Sequence, residues 1–127
     1  MKHYLLLIAI ASSFLVANSV KELSATNFYS VINSSKPTLV KFYANNCPAC
    51  ITMAPHYKKV AQEFGNKIRY AQINVNTFPN IARKYYIAAT PTTVLFKNGK
   101  EIDRAIGGYG YNYLKKWAIN ILNYFKI

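Results

Sequence analysis

Apolar runs of strand length alternate with helix-patterned segments along this chain, and the alternation ends in an Asn-Gly turn. Strands joined through helices pair in parallel, because a crossover must carry the chain back to the starting edge. Asn98-Gly99, set between two strand-like runs, instead specifies a tight antiparallel hairpin. A first strand is expected over Val20–Leu23, then a helix capped by Ser24 and running to about Asn33, with Phe28, Val31 and Ile32 on its apolar side. Ser34-Ser35-Lys36-Pro37 breaks that helix, and Thr38–Ala44 is a near-continuous apolar strand. After Asn45-Asn46 a long helical pattern begins at Cys47 and reaches Phe64, stopped by Gly65-Asn66 and expected to kink at Pro55. Ile68–Val75 is a second core strand, Pro79 opens a short helix through about Tyr85, and Thr92–Lys97 is a third core strand. The hairpin leads into a strand over Glu101–Ile106, Gly107-Gly108 closes it, and a last helix covers Tyr111 to about Tyr124. Its Leu114, Trp117, Ala118, Ile121 and Phe125 follow helical spacing and belong to a core rather than to a ligand box. The fold class is α/β: a mixed central sheet, with a parallel core plus an antiparallel hairpin, flanked by helices on both faces.

The N-terminus reads as an address rather than as part of that domain. Met1-Lys2-His3 is a short basic head, and Tyr4 to Ala17 form an apolar run with small residues, Ala17 and Ser19, before a cut expected near Ser19–Val20. As a helix this run spans about 21 Å, short of a bilayer core, so a cleaved signal peptide over residues 1–19 is favoured over an uncleaved anchor. No stable membrane span is expected after cleavage. Residues 20–127 then form one domain, in the periplasm or outside the cell. Sixteen Lys and Arg against four acids give a net charge of +12, but the cations are scattered as doublets such as Lys58-Lys59 and Lys115-Lys116. With no longer basic run and no nucleic-acid motif, specific nucleic-acid binding is not expected.

Cys47-Pro48-Ala49-Cys50 holds the chain's two cysteines, placed where a strand meets a helix. A helix N-terminus presents free N–H groups and partial positive charge, which favours thiolate over thiol. Cys47 is thus the candidate nucleophile, and Cys50, nearly one turn on, the candidate resolving thiol. Pro48 suits the first helical turn and Ala49 favours the helix. A purely structural disulfide competes with this reading, although so short a loop constrains the unfolded chain little. A zinc site lacks ligands, since only His56 lies nearby, and no metal is expected. Two inert core cysteines fit poorly with a pair at a strand–helix junction, so redox use is favoured.

The mature chain resembles thioredoxins over nearly its whole length. Leu39-Val40-Lys41-Phe42-Tyr43-Ala44 runs into the Cys-x-x-Cys helix like that family's central strand, and Pro55 matches its helix-kinking proline. Ala71-Gln72-Ile73-Asn74-Val75-Asn76 resembles the next strand, Ala89-Thr90-Pro91-Thr92 the cis-proline loop, and Val94-Leu95-Phe96-Lys97-Asn98-Gly99 the hairpin. The resemblance implies a cis Thr90–Pro91 bond beside the disulfide, with the Thr90 backbone pairing with a substrate strand; a plain strand-initiating proline is the alternative. Gly108 falls where the family keeps a glycine next to the active site.

Five positions depart from the family. Asn46 stands in place of its tryptophan, and Pro-Ala replaces Gly-Pro between the cysteines. Lys41 stands where thioredoxins typically keep a buried acid, and Gln72 where its lysine partner often sits. A charged Lys41 would lower nearby thiolate pKa values but could not act as a base; only a lysine made neutral by burial could. A packed stem with the ammonium reaching water is the favoured outcome for Lys41. The oxidase and isomerase families often place a histidine before the second cysteine, where this chain has Ala49. The implied function is therefore reduction or exchange of disulfides in exported proteins, by a monomer with no cofactor beyond its own Cys47–Cys50 pair. Its expected partners are protein or peptide thiols and disulfides and a redox partner that recycles it. A disulfide oxidase or isomerase, and a non-enzymatic binding module, are the alternatives.

Overall fold

The computed structural model describes residues 19–127. The expected signal peptide, residues 1–19, lies outside the described residues but for Ser19. Five strands, β1 (Val20–Glu22), β2 (Thr38–Tyr43), β3 (Arg69–Asn74), β4 (Thr92–Lys97) and β5 (Lys100–Ile106), alternate with helices α1 (Phe28–Ile32), α2 (Pro48–Phe64), α3 (Pro79–Lys84) and α4 (Tyr111–Phe125). They form one sheet in the order β1-β3-β2-β4-β5. β1 and β2 both pair with β3 in parallel, whereas β2–β4 and β4–β5 are antiparallel. The mixed sheet expected from the helix crossovers and the Asn-Gly turn is therefore the one observed.

Side chains alternate across the strands and divide the core into two layers. On one face Leu39, Tyr70 and Leu95 pack against Met53, Tyr57 and Val60 of α2 and Leu114, Trp117 and Ile121 of α4. On the other, Val40, Phe42, Ile73, Val94 and Phe96 meet Phe28, Val31 and Ile32 of α1 and Ile81 of α3. Burial on both faces explains why β2 and β4 read as continuous apolar runs rather than alternating ones. The Tyr57 hydroxyl, fully buried, sits 2.9 Å from both the Leu39 and the Ala71 carbonyl oxygens and donates into that pair, tying α2 to the two central strands.

The first helix is shorter than expected. Ser24 does not cap it: the Asn27 side chain accepts from the Ser24 N–H at 2.8 Å, and the Ser24 carbonyl takes the Phe28 N–H at 3.0 Å. This local side-chain turn satisfies the backbone without a helix, so α1 starts at Phe28 after Asn27. Elsewhere the expected boundaries hold within a residue or two, the range over which helix and strand ends fray.

The hairpin has the geometry its sequence demands. Asn98 and Gly99 both adopt positive φ, 53° and 79°. Their N–H groups bond to the Ser34 and Ile32 carbonyls at 2.9 Å each, so the turn also closes the end of α1. Further along, the β4–β5 register shifts between Leu95 and Phe96, opposite Asp103 and Glu101, leaving Ile102 as the bulged residue. A Cβ on Gly99 would lie 2.2 Å from Asn33 Oδ1, at a φ unfavourable to any L side chain. Gly99→Ala should therefore cost about 1–2 kcal/mol from backbone conformation, plus whatever displacement of Asn33 adds. Urea denaturation followed by circular dichroism checks this; an unchanged midpoint would refute it.

Candidate active site

Three chain segments meet at the C-terminal end of β2. The first is the start of α2, where Cys47 is the N-cap with extended backbone and Pro48 is the first helical residue. Proline loses nothing there, because that N–H has no intrahelical partner. Cys47 and Cys50 are joined as a disulfide, their Cα atoms 5.2 Å apart. The Cys50 N–H donates to Cys47 Sγ at 3.2 Å. An orphan donor of the first helical turn is therefore aimed at the first sulfur, the arrangement that stabilises a thiolate on Cys47 when the bridge is reduced.

The second segment is the loop before β4. Thr90–Pro91 is cis, as the resemblance implied, and Pro91 is buried. Thr90 Oγ1 donates to Cys47 Sγ at 3.6 Å, and the Thr90 carbonyl oxygen lies at the same distance from that sulfur. Thr92 Oγ1 donates back to the Ala89 carbonyl at 2.7 Å and fixes the loop. The third segment follows β5: the Gly107 N–H donates to the Pro91 carbonyl at 2.8 Å, and a Cβ on Gly108 would sit 3.4 Å from both Cβ and O of Ala49. Cys47, Pro48, Ala49, Cys50, Thr90, Pro91 and Gly108 thus come together as one site. Beside it opens a cleft of ≈ 290 Å³ lined by Ala49, Thr52, His56, Gly108 and Tyr109, among others. Sequence reasoning missed the part His56 and Tyr109 play in lining it.

Lys41 differs from the expectation of an ammonium reaching water. Its side chain is 3% exposed, with Nζ 5.0 Å from the centre of the Tyr57 ring and 5.9 Å from that of Tyr43. The reason lies in sheet register. Glu22, Gln72, Lys41 and Thr93 occupy one row across four strands, on the face that α2 covers. Glu22 accepts from Tyr43 Oη at 2.9 Å and from Gln72 Nε2 at 2.8 Å. Thr93 Oγ1 is buried without a hydrogen-bond partner among the described residues. Desolvation lowers the Lys41 pKa, and the charge of Glu22 partly restores it. Glu22, Tyr57 and Thr93 escaped the sequence reading; strand parity could have placed Glu22 and Lys41 on one face had the pairing order been known.

The Lys41 shift sets a pH dependence. The folded protein releases this proton at lower pH than the unfolded chain, so between the lowered value and the ordinary 10.5 the unfolded state holds more protons. Stability attributable to Lys41 therefore rises with pH through that window. Lys41→Met should melt at higher temperature than wild type at pH 7, with the gap closing as pH approaches 10. Calorimetry across pH tests this, and a gap independent of pH would refute it.

Comparison with known proteins places these features. Residues 19–120 match the protein-family model described as thioredoxin. Thioredoxin of Mycobacterium bovis is 34% identical over 92 residues, covering 72% of this chain and 79% of that protein. Chloroplastic thioredoxin Y1 of Arabidopsis thaliana is 42% identical over 77 residues, covering 61% of this chain, which spans 45% of that protein's length. The chain also spans 20% of the Mycobacterium leprae bifunctional thioredoxin reductase/thioredoxin, at 34% identity. Among solved structures, thioredoxin of Malassezia sympodialis superposes with a TM-score of 0.76 at 28% identity, covering 81% of this chain and 90% of that one.

Proposed function

Since the chain belongs to the thioredoxin family and is a thiol–disulfide oxidoreductase through its Cys47–Cys50 pair, we propose that it works as a reductant or exchanger of disulfides in exported proteins. The observation that carries the direction is Ala49. The residue next to Cys50 has no titrating group, and Gly108 packs closely against it, so that position supplies no cationic donor of the kind that makes a strong oxidant.

The cycle starts from the dithiol. Cys47, as thiolate at the head of α2, attacks one sulfur of a client disulfide. The client S–S bond breaks, its far sulfur leaves as a thiolate that takes a proton, and Cys47 is held in a mixed disulfide. Cys50 then attacks Cys47 Sγ, the mixed bond breaks, the client's second thiol departs, and the Cys47–Cys50 bond forms. The client has gained two electrons and two protons. A dithiol-type donor must return the same number for another turn. Thr90, beside Cys47 Sγ, is positioned to pair with an extended client segment.

Loss of the Cys50 proton is the step that this chain must handle differently. Glu22 is already engaged by Tyr43 and Gln72, and Lys41 cannot accept a proton while charged. Burial brings its neutral form within reach at a lower pH than for an exposed lysine. The resolving step should accordingly accelerate with pH in wild type and less steeply in Lys41→Met, where only the ionisation of the Cys50 thiol itself remains, as read by the decay of the mixed disulfide.

The basic head and apolar run before Val20 support export to a periplasm or the cell exterior. Lys41 supports a second reading: a buried cation stabilises reduced thiolates and would make the pair a disulfide oxidase. Equilibration of the protein against glutathione or dithiothreitol buffers, read by thiol trapping, separates the two. A potential near about −270 mV fits the reductant, and one near about −120 mV the oxidase. Cys47→Ser should abolish disulfide exchange, whereas Cys50→Ser should accumulate a client adduct detectable by mass spectrometry. Full function after Cys47→Ser would overturn both readings in favour of a binding module.

A further inference from the structure

The pole opposite the disulfide collects positive charge that no acidic side chain answers. β1, β2 and β3 run parallel and begin there, β4 ends there at Lys97, and the turn leads straight to Lys100. The segments are stitched together: the Arg69 N–H donates to the Pro37 carbonyl at 2.8 Å, Lys36 Nζ to the Asn66 carbonyl at 3.1 Å, and Lys97 Nζ to the Ser35 carbonyl at 2.8 Å. Lys36, Lys67 and Lys97 rim a cleft of ≈ 480 Å³ whose apolar lining is Pro37, Phe125 and Ile127. An ammonium has three donors, so the two that hold carbonyls retain N–H groups for a further acceptor.

All four acids are committed elsewhere. Glu101, level with Phe96 in the sheet and nearest this pole by register, is gripped by Arg104 through both oxygens, at 2.6 and 2.7 Å, the one ion pair among the described residues. Glu22 holds Tyr43 and Gln72, Glu63 holds Tyr111, and Asp103 holds the Trp117 indole. A surface that is cationic and apolar at its centre, with every Asp and Glu side chain engaged elsewhere, complements an anionic interface with hydrocarbon beneath it.

A second observation points to the same partner. Val20 pairs with Tyr70 at the start of β3, so the chain enters the sheet at this pole, directly after the apolar stretch Tyr4–Ala17 in sequence. We propose that this pole docks on an anionic lipid surface, with Lys36, Lys67 and Lys97 meeting the headgroups. The disulfide, at the other ends of the same strands, then faces away from the bilayer towards its clients. The charge belongs to the folded domain and persists whether or not the chain is cut after Ser19.

The test uses the full chain and co-sedimentation with vesicles of phosphatidylcholine alone or mixed with phosphatidylglycerol, at low and high salt. Two triple variants remove the same charge: K36Q/K67Q/K97Q at the pole and K58Q/K84Q/K116Q away from it. The expected result is binding that requires phosphatidylglycerol, weakens with salt, falls at least tenfold in the pole variant and persists in the other. Retained disulfide exchange in both variants establishes that they fold. Where the pole variant fails to fold, Lys67→Glu replaces it, because that side chain makes no hydrogen bond or ion pair among the described residues. Equal binding to phosphatidylcholine would assign the interaction to the apolar stretch alone. An equal loss in both triples would assign it to net charge, and displacement from the vesicles by a DNA oligomer would assign the pole to nucleic acid. Each of these overturns the proposal.

Discussion

The active pole depends on how firmly α2 is held against the two central strands. Its N-cap carries the attacking sulfur, and a shift of the helix by a fraction of its pitch would separate Cys47 from Thr90. The hold comes from an apolar layer, in which Met53, Tyr57 and Val60 press on Leu39 and Tyr70, and from one polar bolt, the Tyr57 hydroxyl between the Leu39 and Ala71 carbonyls. The layer supplies most of the free energy but little direction, because hydrophobic contact is non-directional. The bolt supplies direction. A buried hydroxyl that loses its acceptors costs on the order of 1–3 kcal/mol, so sliding α2 along the sheet is penalised even where apolar contact survives.

Around that fixed helix the site is assembled from pieces far apart in sequence. Thr90–Pro91 and Gly107–Gly108 are brought to Cys47 by two strands, β4 and β5, that owe their pairing to the Asn98-Gly99 turn. The turn's own N–H groups are spent on α1, so the hairpin, the first helix and the redox loop share one mechanical frame. Preorganisation of this kind is what a nucleophile at a helix head needs, since its stabilising donors are useful only if they already point at the sulfur.

Much of the fold could be read from residue order, because β2, β4, the hairpin and α4 carry their own local signals. Asn98-Gly99 selects positive φ at both turn positions, and the Leu114–Trp117–Ala118–Ile121 spacing marks the buried stripe of α4. Cys47 and Cys50 were equally legible, being paired by spacing alone. The surroundings of Lys41 were not. They are set by which strand lies beside which, and Glu22, Gln72, Lys41 and Thr93 become neighbours only once β1-β3-β2-β4 is known. The shortened α1 was missed for the opposite reason. Its competitor is too local: Asn27 folds back on Ser24 and satisfies the very N–H that a longer helix would have used.

An extended chain can add to any free strand edge that it meets. β1, at one margin, offers three residues and little to copy. β5, at the other, is long, but its bulge at Ile102 breaks the regular spacing of donors and acceptors, and Lys100, Glu101, Asp103 and Arg104 crowd it with charge. Both margins are therefore poor templates for a stray segment. Thr90, whose carbonyl oxygen lies 3.6 Å from Cys47 Sγ, stands apart from both margins. The irregularity of β5 thus acts as a form of traffic control: it blunts the sheet's long edge against the addition of stray strands.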